Sequence, residues 1–147
     1  MKILIISPGK AHDATVAEGV AEYQKRLSKK FSLAWVFPSA ADKEAEGAAV
    51  LKQIKESDFV VLLDERGKDI DTPGVAALLD KQLQAATKRL VFVIGGAFGV
   101  SKHVAARANA TLKLSSLVFP HMLARLLLIE QLYRAGTIID GGKYHHA

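Results

Sequence analysis

The sequence predicts an α/β fold, a Rossmann-like, mostly parallel sheet with helices on both faces. Three observations lead there. Short runs rich in β-branched residues alternate with longer segments of helical periodicity. Runs such as 59–63 and 90–94 are apolar throughout, the mark of strands buried on both sides. The chain has 147 residues, half of them hydrophobic, which suits a single domain over 1–147 with a sizeable core.

Residues 2–7 read as the first strand, which Pro8-Gly9 ends. Residues 14–29 form a helix, with Val16, Val20, Tyr23 and Leu27 on one stripe. A second strand covers 33–37 and stops at Pro38. A helix over 43–56 has Val50, Leu51 and Ile54 on its inner side. The third strand, 59–63, runs into a polar loop, Asp64-Glu65-Arg66-Gly67-Lys68. Thr72 can cap the next helix, and Pro73 suits its first position. The fourth strand, 90–94, opens into a loop holding Gly95, Gly96 and Gly99, and Ser101 caps a short helix to about residue 108. Residues 111–114 form the last strand and 115–120 a loop. The final helix, 121–137, is apolar on nearly every side, so something besides one sheet face, the wrapping chain or a second subunit, must cover it.

Twenty Lys and Arg stand against 15 Asp and Glu, for a formal charge of +5 and a pI of about 9.5. That balance favours a polyanionic partner. Cysteine is absent, which removes disulfides, thiolate nucleophiles and Cys-bound zinc and is compatible with a reducing cytoplasm. The apolar start, Ile3 to Ile6, is too short for a signal-peptide core. No apolar run reaches the ~18 residues of a membrane span. No metal is expected, since the histidines lack helical i, i+4 ligand spacing. His12 and His103 lie in contexts typical of a surface.

In open α/β sheets ligands sit beyond the carboxyl ends of the strands. Three such ends carry unusual loops here, after Leu63, after Ile94 and after Leu114, and they should converge. Gly95-Gly96-x-x-Gly99 allows backbone to approach a ligand and offers free N–H groups, although a plain strand-to-helix turn would look the same. Residues 114–119 interleave hydroxyls with apolar groups and suit an adenine pocket, or a buried strand. The tail, Lys143-Tyr144-His145-His146, brings together a cation, a ring and two imidazoles. It equally suits a frayed terminus. His121 either packs the last helix or meets substrate.

The segments Leu63-Asp64-x-x-Gly67-Lys68, Ile94-Gly95-Gly96-x-x-Gly99, Leu114-Ser115-x-Leu117-x-Phe119-Pro120-His121-x-Leu123-x-Arg125, Glu130 to Ala135 and Tyr144-His145-His146 occur in order. Together they resemble the RlmH branch of the SPOUT methyltransferases, over the whole chain. The resemblance implies a carboxyl-terminal trefoil knot, a homodimer and a cytoplasmic enzyme. It implies transfer of a methyl group from S-adenosylmethionine to N3 of a pseudouridine in 23S ribosomal RNA, on the assembled ribosome. Alternative readings are a non-catalytic knotted ribosome-binding factor and a SPOUT methyltransferase acting on tRNA or another rRNA base.

By the same resemblance, Leu63, Gly95, Gly96, Leu114, Ser115, Ser116, Leu117, Val118 and Phe119 are expected to form the cofactor site. His145 is expected to orient the base or handle its proton, with Tyr144 and His121 in support. Arg125, Lys143, Arg66 and Lys68 are expected to contact RNA. The family pattern closes on an acidic residue where this chain has Ala147.

Overall fold

A computed structural model describes residues 1–96 and 98–146. Five strands, β1 (Lys2–Ile6), β2 (Ser32–Val36), β3 (Phe59–Asp69), β4 (Arg89–Ile94) and β5 (Ala110–Lys113), form one sheet in the order β2-β1-β4-β3-β5. Every pairing is parallel. The helices are α1 (Ala14–Lys25), α2 (Lys43–Lys52), α3 (Thr72–Gln84), α4 (Lys102–Arg107) and α5 (His121–Ile139).

The continuous apolar runs are explained by cover on both faces. Ile3, Ile5, Val61, Leu90 and Phe92 point to a layer that contains Val75 and Leu79 of α3 with Leu128, Leu132 and Ala135 of α5. Their neighbours Leu4, Ile6, Val60, Leu62, Val91 and Val93 point the other way, onto Val50 of α2 and Val104 of α4. Strand side chains alternate, so three adjacent central strands supply both cores. Burying each such side chain contributes about 1.5–3 kcal/mol.

Several element ends differ from expectation. α1 stops at Lys25 because Leu27 turns into the core beside α5. α2 stops at Lys52, where Arg89 Nη2 donates to the Gln53 carbonyl at 2.8 Å and Ile54 turns inward. α3 is capped by Asp71, whose carboxylate accepts from the Gly74 N–H at 2.8 Å. Thr72 is the first helical residue instead, and its hydroxyl donates to Gln131 of α5 at 2.7 Å. Ser101 caps α4, its hydroxyl accepting from the Val104 N–H at 3.2 Å.

The unusual composition of α5 is largely met within the chain. It lies against α1 and α3 over the sheet, with Ile129 packed on Val16 and Val20. Leu123, 37% exposed, is its one large apolar side chain left open among the described residues. Among the described residues no helix is long and apolar enough to cross a membrane.

Candidate active site

Leu63 stands in register with Ile94 on one side and with Leu112 on the other. The carboxyl ends of β3, β4 and β5 are therefore level, and the three loops that leave them are neighbours by construction. The loop after Leu63 departs from expectation. Residues 64–67 bulge out, after which Lys68 and Asp69 rejoin β5, so Leu112 pairs with both Leu63 and Lys68. Only a residue without a side chain fits at position 67, since a Cβ there would lie 2.6–2.8 Å from the Leu112 backbone.

The loop after β4 is closed by the Gly99 N–H, which donates to the Gly96 carbonyl at 3.1 Å, and Gly99 sits at φ +81°, where glycine is favoured. In the loop after β5 the Ser115 hydroxyl accepts from the Leu117 N–H at 2.9 Å. Pro120 then leads into α5.

These loops enclose one cleft of about 440 Å³. Of the residues expected there, Leu63, Gly95, Gly96, Leu114, Ser115, Leu117, Val118, Phe119 and His121 line it. Ser116 does not: it is exposed, and its hydroxyl accepts from Lys113 Nζ at 3.3 Å. Arg66, expected to meet RNA, lines it too, and Asp64, Glu65, Ile94, Gly99, Val100, Pro120 and Ala124, not among the residues expected in the site, complete the wall. Leu117 and Val118 are 70% and 80% exposed, so the rim presents apolar groups to whatever enters. The hydrogen bonds from Arg66 hold the Asp64 carboxyl below its ordinary range despite partial burial.

His121 begins α5 at the edge of the cleft, facing Gly9 of the β1–α1 loop, where a Cβ would stand 3.6 Å from its Nε2. Arg125, one turn further on, corrects an expectation. Instead of offering a cation to RNA it is fully buried. Its Nε donates to the Ser7 hydroxyl at 2.7 Å, and its guanidinium lies 4.6 Å from the Phe37 ring centroid. The side chain thus pins the first turns of α5 to the end of β1. His12 is likewise no surface histidine, for its ring packs edge-on against Trp35 and Phe37 at 4.5 and 5.0 Å. Burial, then the Arg125 charge, holds its pKa below the ordinary value.

The remaining expected RNA contacts, Arg66, Lys68 and Lys143, are exposed. Arg66 is engaged by Asp64 through two contacts of 3.1 Å.

The tail folds back on its own helix and away from the cleft. The Tyr144 hydroxyl donates to Glu130 at 3.3 Å, its ring lies beneath Arg134 at 4.6 Å, and Arg134 Nη1 meets His145 Nδ1 at 3.4 Å. Burial, then the Glu130 charge, raises the Tyr144 pKa. Arg134 stands thirteen positions, roughly 20 Å, along α5 from His121, and none of the described tail residues lines the cleft of the same chain. Ala147 lies outside the described residues. Among those described, no group of three His, Asp or Glu side chains is placed to hold a metal ion.

Comparison with known proteins agrees with this architecture. The family model described as predicted SPOUT methyltransferase matches residues 1–145. A Synechococcus protein (strain RCC307) named ribosomal RNA large subunit methyltransferase H is 44% identical, across 99% of this chain and 95% of its own length. The protein of the same name from Parabacteroides distasonis is 38% identical, with 99% of both chains covered. Among solved structures, a probable methylase family protein from Haemophilus influenzae Rd KW20 superposes with a TM-score of 0.56 at 15% identity, a likeness of fold. It covers 95% of this chain, which spans 66% of that structure's length. By the full-length match and the identities to its relatives, the chain belongs to the SPOUT methyltransferase family, in its ribosomal RNA large subunit methyltransferase H branch.

Proposed function

We propose that the protein transfers a methyl group from S-adenosylmethionine to N3 of a pseudouridine in 23S ribosomal RNA, on the assembled ribosome and as a homodimer. The observation that carries this reading is the convergence of the three loops on one cleft, in a chain whose relatives are named for methylation of large-subunit RNA.

The cleft suits the cofactor by the chemistry of its lining. Leu63, Ile94, Leu114 and Phe119 provide apolar faces for a purine, and Gly95 has no side chain to keep a ligand from its backbone. Asp64 and Glu65 favour a cationic ligand. When bound, the cofactor supplies a methyl carbon activated by a sulfonium. The residues of the chain have two tasks, to align the acceptor nitrogen with that carbon and to help the nitrogen lose its proton. His121 is at the cleft. His145 and Tyr144 are held far along α5 of their own chain, so in this reading they serve the cleft of a second copy. His145 is the proton-handling or orienting group, since an imidazole nitrogen can accept a proton or a hydrogen bond from the base. Tyr144 positions the base by its ring or hydroxyl.

The path from edge strand β5 through the 114–120 loop to α5, back over the centre of the sheet, is the segment we assign to the trefoil knot. Arg66, Lys68 and Lys143 form the RNA-facing charge in this reading.

Ribosomes lacking the modification, incubated with the protein and methyl-labelled S-adenosylmethionine, should gain label at one large-subunit pseudouridine. No incorporation by a protein that binds the cofactor would favour a ribosome-binding factor. Label in tRNA, or on another rRNA base, would overturn the substrate assignment.

A further inference from the structure

Glu46 is a carboxylate in a place that disfavours charge. It sits on α2, is 7% exposed, and has no Lys, Arg or His within ion-pair distance among the described residues. Gly96 of the β4–α4 loop packs directly against its carboxylate. The contact is so close that a Cβ on Gly96 would lie 2.5 and 2.7 Å from the two carboxylate oxygens. The next residue, Gly47, touches the other end of the same loop: a Cβ there would lie 2.4 Å from the Ser101 hydroxyl, the cap of α4. Consecutive residues of one helix thus hold the β4–α4 loop near its first residue and at its last.

That loop separates Glu46 from the cleft. Gly95, Gly96, Gly99 and Val100 line the cleft on one side and, on the other, a small recess that contains Glu46. Glu46 faces the loop from behind and does not itself reach the cleft.

We infer that Glu46 is a positioning residue for cofactor binding, its carboxyl oxygen accepting from the Gly96 N–H and so fixing the turn whose front surface receives S-adenosylmethionine. This rests on the reading of the cleft as the cofactor site. Burial pushes the Glu46 carboxyl above its ordinary range, with the Gly96 N–H acting against that shift. In this role Glu46 acts through an acceptor oxygen, which a glutamine amide retains at the same reach, so glutamine should replace it. The tight fit also makes Gly96 and Glu46 a coupled pair, because the space that a β-carbon at 96 requires is the space that the carboxylate fills.

The test is calorimetric titration of S-adenosylmethionine into the full chain and its variants. E46A should raise the Kd roughly tenfold or more, the scale of a lost buried hydrogen bond, while E46Q stays within about threefold of wild type. V50A removes a core side chain from the same helix; it should lower the Tm without changing the Kd. G96A should weaken binding, and less so in an E46A background. An unchanged Kd in E46A, equal weakening by V50A, or strictly additive effects of E46A and G96A would each overturn the inference. If E46A does not fold, E46D, with its acceptor drawn back by one methylene, should weaken binding in its place, and an unchanged Kd there counts against the inference equally. Failure of the wild-type chain to bind would sink the cofactor reading instead. The local contact is checked separately by NMR without ligand, where the Gly96 amide should shift and exchange faster in E46A but not in E46Q.

Discussion

Asp58 and Arg89 are joined across the end of the sheet where β3 and β4 begin: Arg89 Nε donates to Asp58 Oδ1 at 2.9 Å, and the carboxylate side chain is 2% exposed. Burial alone would raise the Asp58 pKa, yet the Arg89 hydrogen bond, the Lys55 N–H and the two cations outweigh it and hold the group below its ordinary value. D58A leaves Arg89 beside an empty site and should cost about 3 kcal/mol. A depressed carboxyl contributes stability above its unfolded pKa of about 3.9 and loses it as pH falls through the folded value. Thermal melts should therefore show wild type and D58A separated at pH 7 and converging below about pH 4, and a gap that persists in acid would contradict the assignment.

At Gly67 the obstacle to a side chain is backbone, which cannot swing aside as a flexible side chain can. G67A should push β5 off β3 beyond the bulge and lower stability by about 2 kcal/mol or more. Hydrogen exchange of the β5 amides should quicken in the variant. Normal protection there would show that the sheet tolerates the methyl group.

The cations divide by burial, and RNA binding should divide with them. R66A, K68A and K143A should each lower the salt slope of ribosome or RNA binding by up to about one unit if the residue meets a phosphate. Changing Arg125 to methionine should lower the Tm and leave that slope alone, since the side chain is spent on Ser7 and Phe37. A reduced slope in the methionine variant would return Arg125 to the RNA surface.

Deleting residues 144–147 should preserve cofactor affinity and abolish methyl transfer. If the tail serves a second copy, mixing this deletion with a chain whose cleft is blocked by G95W should restore about a quarter of wild-type activity, because half of the random pairs carry one intact site. Mixtures as inactive as their parents would confine the tail to its own chain.

Much of this was legible in the sequence, for identifiable reasons. Apolar runs such as 90–94 announced central strands, and glycines at 95, 96 and 99 announced a close turn, because these features are local. The errors came from tertiary contacts. Arg125 looked like a surface cation since nothing in its neighbourhood reveals Ser7, 118 positions away. Asp64 to Lys68 looked like a polar loop beyond the strand, while the ladder resumes at Lys68 only because β5 is there to pair with it. Glu46 drew no notice because an acid in an exposed-looking helix is ordinary until Gly96 is folded against it.

The strand order β2-β1-β4-β3-β5 sets the schedule on which the chain can become native. Lys2 pairs early with Ser32 but must wait for Arg89 to be made before it acquires its second neighbour, and the layer of Leu128, Leu132 and Ala135 arrives only with the last helix. Partners so distant in sequence make early collapse unproductive and folding slow. A nascent chain stalled before residue 121 should remain sensitive to protease, and the molecule should acquire its resistance only after it leaves the machinery that synthesises it.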